Sequence, residues 1–290
     1  MVNIEKIKSG KTTKELLNFG IINIDKPSGP TSFDISDFSR KALNEIGVTK
    51  TSHFGTLDPK VTGVLPIALN RACKLTGFFL GEDKEYVGVM RIHEDIPLKD
   101  IEKAIREKFL GTINQTPPKK SRVKRVERQR EIKRFDIIEK NGQDILFLAE
   151  VQGGTYIRKL VSDLGDYLKI GAHMLELRRI RAGIFREEKS VNLYELEKVI
   201  EEYKKGNEKP LREIIIPGEI VSEVYPIVAI NDSDLKHVLT GKPIHKSDLI
   251  KSGKFEDGQI ISVFFKDRFI GMYKVLSEGE IFAMPEFVMN

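Results

Sequence analysis

Asp58 stands inside TSHFGTLDPKVTG (51–63), a stretch of small, polar and turn-forming residues. A carboxylate in such a loop is ionised at neutral pH, and it is competent both as a nucleophile and as a leaving group. Pro59 biases Asp58 away from the α region, toward an extended backbone that holds a side chain out of a loop. Gly55 and Gly63 admit backbone conformations closed to other residues, and His53 and Thr56 lie close by. On its own, Asp-Pro is a turn initiator, and these residues by themselves name no reaction. A second carboxylate at a readable spacing is missing, so a two-carboxylate hydrolase is not supported. P-loop, GxGxxG and GxSxG patterns are absent as well. Cys73 is the only cysteine, which excludes an intrachain disulfide and a Cys-based zinc site, and it reads as a small buried apolar group. His53, His93, His173, His237 and His245 show no chelating spacing, so no protein-held metal is expected.

The elements around Asp58 follow from local patterns. GIINIDKP (20–27) reads as a short apolar strand stopped by Pro27. Thr31 and Asp34 predict a capped helix start, Ile35, Phe38, Ala42, Leu43 and Ile46 its buried stripe, and Gly47 its end. Residues 51–63 read as a loop, and EYVGVMRI (85–92), which contains Tyr86, as a strand. Residues 98–110 predict an amphipathic helix. FDIIEK and DILFLAEVQ flank Asn141-Gly142, a strong hairpin signal. A helix over 157–169 carries the stripe Ile157, Leu160, Val161, Leu164 and Leu168, with Arg158 just off it. Beyond Pro217, Gly218 and Pro226, short β-rich runs alternate with turns around one short helix, Ser233–Thr240, as in a small β barrel. The expected architecture is therefore α+β: a mixed, mainly antiparallel sheet flanked by helices, plus a small barrel-like domain. The expected divisions are an N-terminal arm (1–18), a main domain (19–222) and the barrel (223–290).

The chain of 290 residues carries a formal net charge of +5. The distribution says more than the sum. KKSRVKRVERQREIKR (119–134) holds nine Lys and Arg against Glu127 and Glu131. It reads either as a solvated face or as a stripe contacting phosphates. A second group, Arg178, Arg179, Arg181 and Arg186, shifts the balance toward nucleic acid. No apolar run approaches the roughly 18–20 residues of a membrane span. Residues 1–17 have no apolar signal core, so a cytoplasmic protein is expected.

The stretch His53–Gly63 (HFGTLDPKVTG) resembles the catalytic loop of the TruB/dyskerin pseudouridine synthases, H-x-G-[TA]-L-D-P-x-[VA]-[TS]-G. KPSGPTS (26–32), QTPP (115–118) with Ser121, Val123 and Lys124, GTYIR (154–158), and GAHM (171–174) followed by Leu177, Arg178, Arg179 and Gly183 resemble further family elements in the same order. The resemblance runs from about 19 to 200, and the tail fits the family's PUA domain. EYVGVMRIH and GAHMLELRRIRAGIFRE are similar to the archaeal and eukaryotic branch, the catalytic subunits of box H/ACA guide particles, and an archaeal form fits best. The departures are Phe54, Arg122, Gly153 and Phe33, each standing where the family usually has another residue; Phe54 is expected to alter how the loop meets RNA.

The resemblance implies a reaction that breaks the uridine N1–C1′ bond, turns the uracil and rejoins it through C5, with no cofactor. It assigns Asp58 as nucleophile, at C1′ or at the base, and Arg158 as its charge partner. Tyr86 would stack on the base and assist proton transfer. His53 would hold the flipped nucleotide and Leu177 would pack near the base. Lys26 would support the loop or meet a phosphate, and Lys124 and Arg125 in the basic segment would bind RNA. The implied substrates are the T-loop uridine of tRNA, or rRNA paired to a guide RNA with small H/ACA accessory proteins. A non-catalytic RNA-binding scaffold is the alternative.

Overall fold

The computed structural model describes residues 2–117, 124–232, 235–250, 253–276 and 279–289. Residues 118–123, which include Ser121, Arg122, Val123 and the first part of the basic segment, lie outside the described residues. The chain divides into two compact units, Ile21–Ile215 and Met1–Gly20 with Ile216–Asn290.

In chain order the helices are α1 (Ile4–Gly10), α2 (Thr13–Asn18), α3 (Ser32–Leu43), α4 (Thr76–Leu80), α5 (Leu98–Ala104), α6 (Ile157–Tyr167), α7 (Leu193–Lys204), α8 (Lys209–Ile214) and α9 (Leu235–Leu239). The strands are β1 (Gly20–Lys26), β2 (Thr51–His53), β3 (Thr62–Leu69), β4 (Lys84–Ile92), β5 (Gly111–Gln115), β6 (Arg128–Asn141), β7 (Asp144–Val151), β8 (Ala172–Ala182), β9 (Phe185–Arg186), β10 (Ile215–Pro217), β11 (Ile227–Ala229), β12 (Ile244–His245), β13 (Ile260–Phe265), β14 (Arg268–Val275) and β15 (Ile281–Val288).

The larger unit is built on a mixed sheet in the order β1-β3-β8-β4-β7-β6-β5, with β2 paired to β3 and β9 to β8. Its pairings are antiparallel except β3 with β8. That parallel contact is short: Thr62 faces Arg178 and Gly63 faces Arg179. It brings the end of the Asp58 loop against β8, and it requires glycine. A Cβ on Gly63 would lie 2.2 Å from the Arg179 carbonyl oxygen, and φ there is +100°.

The helices form where capping and periodicity agree. Thr31 caps α3, exchanging hydrogen bonds with Asp34 through both side chains, and Gly47 closes the following turn at φ 98°. In α6 the buried residues are Ile157, Leu160, Val161, Leu164 and Gly165. The predicted helix over 98–110 is α-helical only to Ala104 and continues as a wider π turn over Ile105–Phe109, whose Ile105 and Phe109 are buried. The predicted loop 51–63 gives up both ends to β2 and β3, because Thr51, Ser52 and His53 pair with Leu69, Ala68 and Ile67. Cys73 is half-buried rather than buried; its thiol donates to the Ala68 carbonyl, and burial pushes it up to about 11.

In the smaller unit the described strands form a five-stranded sheet in the order β11-β13-β14-β15-β12. Its core includes Val228, Val238, Ile244, Val263, Ile270 and Tyr273. The predicted short helix is α9; Ser233 and Asp234 of that prediction lie outside the described residues. The N-terminal arm is two capped helices. Asn3 and Thr12 each accept a backbone N–H three residues on, which favours helical turns over extension. Within this unit Phe19 stacks on Phe269 at 5.4 Å.

Candidate active site

Asp58 is carried on a loop whose backbone is fastened on both sides of it. On one side the Ser32 hydroxyl, buried at the start of α3, holds the Leu57 backbone. On the other, the Pro59 carbonyl accepts from Gly29 N–H at 2.9 Å and from Lys26 Nζ at 2.9 Å. Lys26 also donates to the carbonyls of Pro27 and Val61, each at 2.8 Å. Its ammonium is wholly buried with its three donors spent on backbone oxygens. Of the two tasks expected of Lys26, loop support and phosphate contact, the geometry leaves only the first, and it is no substrate-binding residue. Burial pulls its pKa below the ordinary lysine value, partly offset by the Asp58 charge.

Asp58 itself is exposed, and Arg158 Nη2 lies 2.7 Å from its Oδ2. Arg158 stands in the first turn of α6. That turn is set by Gln115, the last residue of β5, which is buried to 2% exposure. The Gln115 side chain accepts from Tyr156 N–H at 3.0 Å and donates to the Tyr156 carbonyl at 3.3 Å. One amide thus fixes the backbone two residues before Arg158.

Tyr86 is buried on β4, between Ala149 of β7 and Arg179 of β8. Leu177 is buried opposite Gly88, one pair along the same face. His53 ends β2, half-buried, with its buried Nδ1 unpartnered among the described residues. Burial, reinforced by the Arg179 charge, holds its imidazole below the ordinary pKa. His53, Phe33, Ser36, Asp37, Arg40, Thr51 and Ser52 line a hollow of about 260 Å³. Lys124 and Arg125 lie exposed ahead of β6, and Arg125 Nε donates to the Pro117 carbonyl at 3.3 Å. Their bonding is local, and they are not drawn into the Asp58–Arg158 pair.

The second basic group is not a phosphate-binding surface. Arg178 is paired with Asp25 at 2.9 Å and Glu187 at 2.9 Å, and Arg181 with Glu85 at 3.2 Å and Glu150 at 2.6 Å. Arg179 is 1% exposed, because strand alternation turns it to the face opposite Arg178. Arg186 alone of the four is exposed. Arg179, Ser32, Gln115 and Lys84 are the positions to which sequence reasoning gave no separate task. Lys84 is buried, with its ammonium on the carbonyls of Leu80, Glu82 and Phe79, and burial pushes it down to about 8.

Comparison with known proteins decides the family. Residues 40–157 match the TruB family pseudouridylate synthase N-terminal domain, and 158–222 match the tRNA pseudouridylate synthase B C-terminal domain. The probable tRNA pseudouridine synthase B of Methanopyrus kandleri is 41% identical over 253 residues, 87% of this chain and 74% of that protein. The chain belongs to the TruB family and is a pseudouridine synthase. The TruB relative of Archaeoglobus fulgidus, also named a probable tRNA pseudouridine synthase B, is 39% identical over 92% of this chain and 82% of its own length. Among solved structures, a Cbf5-Nop10-Gar1 complex superposes with a TM-score of 0.90 at 36% identity, covering 97% of this chain and 88% of that one. An H/ACA RNP bound to a substrate RNA containing 2′-deoxyuridine gives 0.87 at 34% identity, covering 98% and 89%. These neighbours place the protein in the TruB/dyskerin branch.

Two departures from the TruB pattern, Phe54 and Gly153, have physical explanations. Phe54 is 1% exposed and stacks on Phe79 at 4.7 Å, with Phe185 at 5.8 Å, so it anchors the loop inward and does not face RNA. Gly153 is needed because a Cβ there would come within 2.7 Å of the Leu80 and Gly81 carbonyls. Phe33 is 72% exposed on the rim of the hollow that contains His53. Arg122 lies outside the described residues.

Proposed function

We propose that this enzyme isomerises uridine to pseudouridine with the Asp58 carboxylate as nucleophile, in tRNA and, as the catalytic subunit of an H/ACA guide particle, in rRNA. The observation that carries the reading is the Asp58–Arg158 pair at 2.7 Å on a loop fastened through Leu57 and Pro59. A guanidinium donates in a fixed plane, so it sets the direction of the attacking oxygen. Because both partners are exposed, a nucleotide can enter between them and the sheet.

The target uridine leaves its stack to reach Asp58, at a cost of about a few kcal/mol. Stacking on Tyr86 offsets part of that cost, and Leu177 closes the apolar side of the pocket. His53, held neutral by burial, holds the swung-out nucleotide as a hydrogen-bonding group rather than a cation. Lys124 and Arg125, with the rest of the basic segment, contact phosphates. No redox or group-transfer partner is required, since the uracil that leaves C1′ is the one that returns. We infer that the enzyme works in the cytoplasm, where it would meet these RNAs.

Two substrates are supported by different relatives. The curated relatives are named for tRNA, whereas the structural neighbours that span nearly the whole chain are a Cbf5-Nop10-Gar1 complex and an H/ACA RNP bound to a substrate RNA. The test measures tritium release from 5-tritiated uridine in two substrates: an unmodified tRNA transcript, and an rRNA fragment paired to a guide RNA in the presence of the accessory proteins. Release from both is expected, with RNA affinity falling steeply as salt rises. RNA binding without release from either would leave the scaffold reading.

A further inference from the structure

His93 closes the stretch EYVGVMRIH and His173 stands in GAHM, and the Asp58 site uses neither. They are 80 positions apart in the chain, so the spacing of histidines in the sequence hides them as a pair. In the fold their rings meet, with His93 Nε2 at 2.9 Å from His173 Nδ1. His173 lies on β8 opposite Arg91 of β4, and His93 is the first residue after β4. Both side chains are exposed. The pair sits at the far end of β4 from Tyr86, about 20 Å along the strand.

One ring is seated and the other is free to turn. The His93 N–H donates to the Gly171 carbonyl at 3.0 Å, and the His93 carbonyl accepts from Gln143 Nε2 at 2.8 Å. A Cβ on Gly171 would stand 2.6 Å from His93 Nδ1, so glycine makes the seat for the imidazole. His173 is exposed and can rotate about its side-chain bonds. In neutral rings one of the two facing nitrogens carries the bonding proton; once that proton moves to the ring's remote nitrogen, both facing lone pairs are available. Two nitrogens about 2.0–2.1 Å from one ion and at right angles to each other are about 2.9 Å apart, whereas a tetrahedral ion would hold them at about 3.3 Å. The observed separation is the first of these, the cis arrangement of Ni²⁺ or Cu²⁺, which imidazole suits. The neighbouring cation does not oppose this, because Arg91 donates to both carboxylate oxygens of Asp144 at 2.6 Å. Among the described residues no cluster of three or more His, Cys, Asp or Glu forms a metal site, so the remaining positions on the ion are left to water.

We propose that His93 and His173 form a two-nitrogen chelate for a divalent ion of the Ni²⁺ and Cu²⁺ class, clasping the end of β4 to the start of β8. The site stands apart from the Asp58 loop, and its occupancy is read without the isomerisation.

The test is calorimetric titration of the untagged full chain with NiCl₂, comparing wild type, His93→Ala and His173→Ala. Wild type should bind one ion saturably, and each variant should bind at least about tenfold more weakly, since loss of even an outer-shell partner of a metal costs about that much. Nickel should also raise the Tm of wild type and leave that of both variants unchanged, because an ion held only by the folded chain stabilises it. Absence of saturable binding to wild type would overturn the proposal. Binding that survives unchanged in both variants would overturn it too, since the ion would then sit elsewhere. If a variant does not fold, imidazole NMR of wild type with substoichiometric CuCl₂ decides. The paramagnetic ion should broaden the signals of His93 and His173 before those of the other three histidines. Equal broadening of all five, or earlier broadening of another histidine, would contradict the assignment.

Discussion

The Ser32 hydroxyl holds both polar groups of the Leu57 backbone: it accepts from the Leu57 N–H at 2.7 Å and donates to the Leu57 carbonyl at 3.0 Å. Asp58 is the next residue. Removing one oxygen therefore releases the backbone beside Asp58 without touching its carboxylate. Ser32→Ala should cost about 1–3 kcal/mol of stability, because it leaves two buried backbone groups unpaired. It should also lower kcat more than it changes KM. Denaturant titration and steady-state kinetics check both parts.

The Arg158–Asp58 pair predicts the opposite balance. Both side chains are about half exposed, at 59% and 47%, and exposed pairs contribute only roughly 0.2–1 kcal/mol. Arg158→Ala should leave Tm almost unchanged, while misplacement of the carboxylate lowers kcat by roughly a hundredfold. A melting scan beside single-turnover kinetics separates the two effects.

The loop motif made Asp58 legible before any fold was known, and the GTYIR stretch did the same for Arg158. Arg158 is placed where the helical stripe leaves it, off the buried face of α6. The hairpin at Gly142, the Thr31 cap and the run of strands in the tail follow from short-range chemistry that a sequence carries openly. Of what holds the site, only the support given by Lys26 was legible, through the resemblance, because the rest depends on pairings distant in sequence. Gln115 reaches Tyr156 and Arg179 reaches Gly55, and no local pattern distinguishes such a residue from a surface one. The arginine cluster misled for the same reason. Neighbouring arginines on a strand must face opposite ways, yet which one is buried depends on what packs above it. The packing of Phe54 was not legible either, since its ring fills a gap between Phe79 and Phe185.

His53 gives a pH signature. Its pKa is held below the ordinary 6.5, first by burial and then by the Arg179 charge. Below that value the unfolded chain takes up a proton that the folded chain refuses. Stability should therefore fall as pH drops through about 6.5 and level off once folded His53 is itself protonated. In His53→Gln this part of the stability–pH curve should flatten. Side-chain imidazole NMR should show His53 titrating at lower pH than an unperturbed histidine.

Asp58→Asn is the most direct test of the central claim. The amide keeps the shape of the side chain and a hydrogen-bonding oxygen for Arg158, but it cannot attack C1′ or the base. With 5-tritiated uridine in tRNA and in guide-paired rRNA, the wild-type enzyme should release tritium and Asp58→Asn should release none, while both bind the RNA with similar affinity. Tritium release by Asp58→Asn at a rate near wild type would contradict the account.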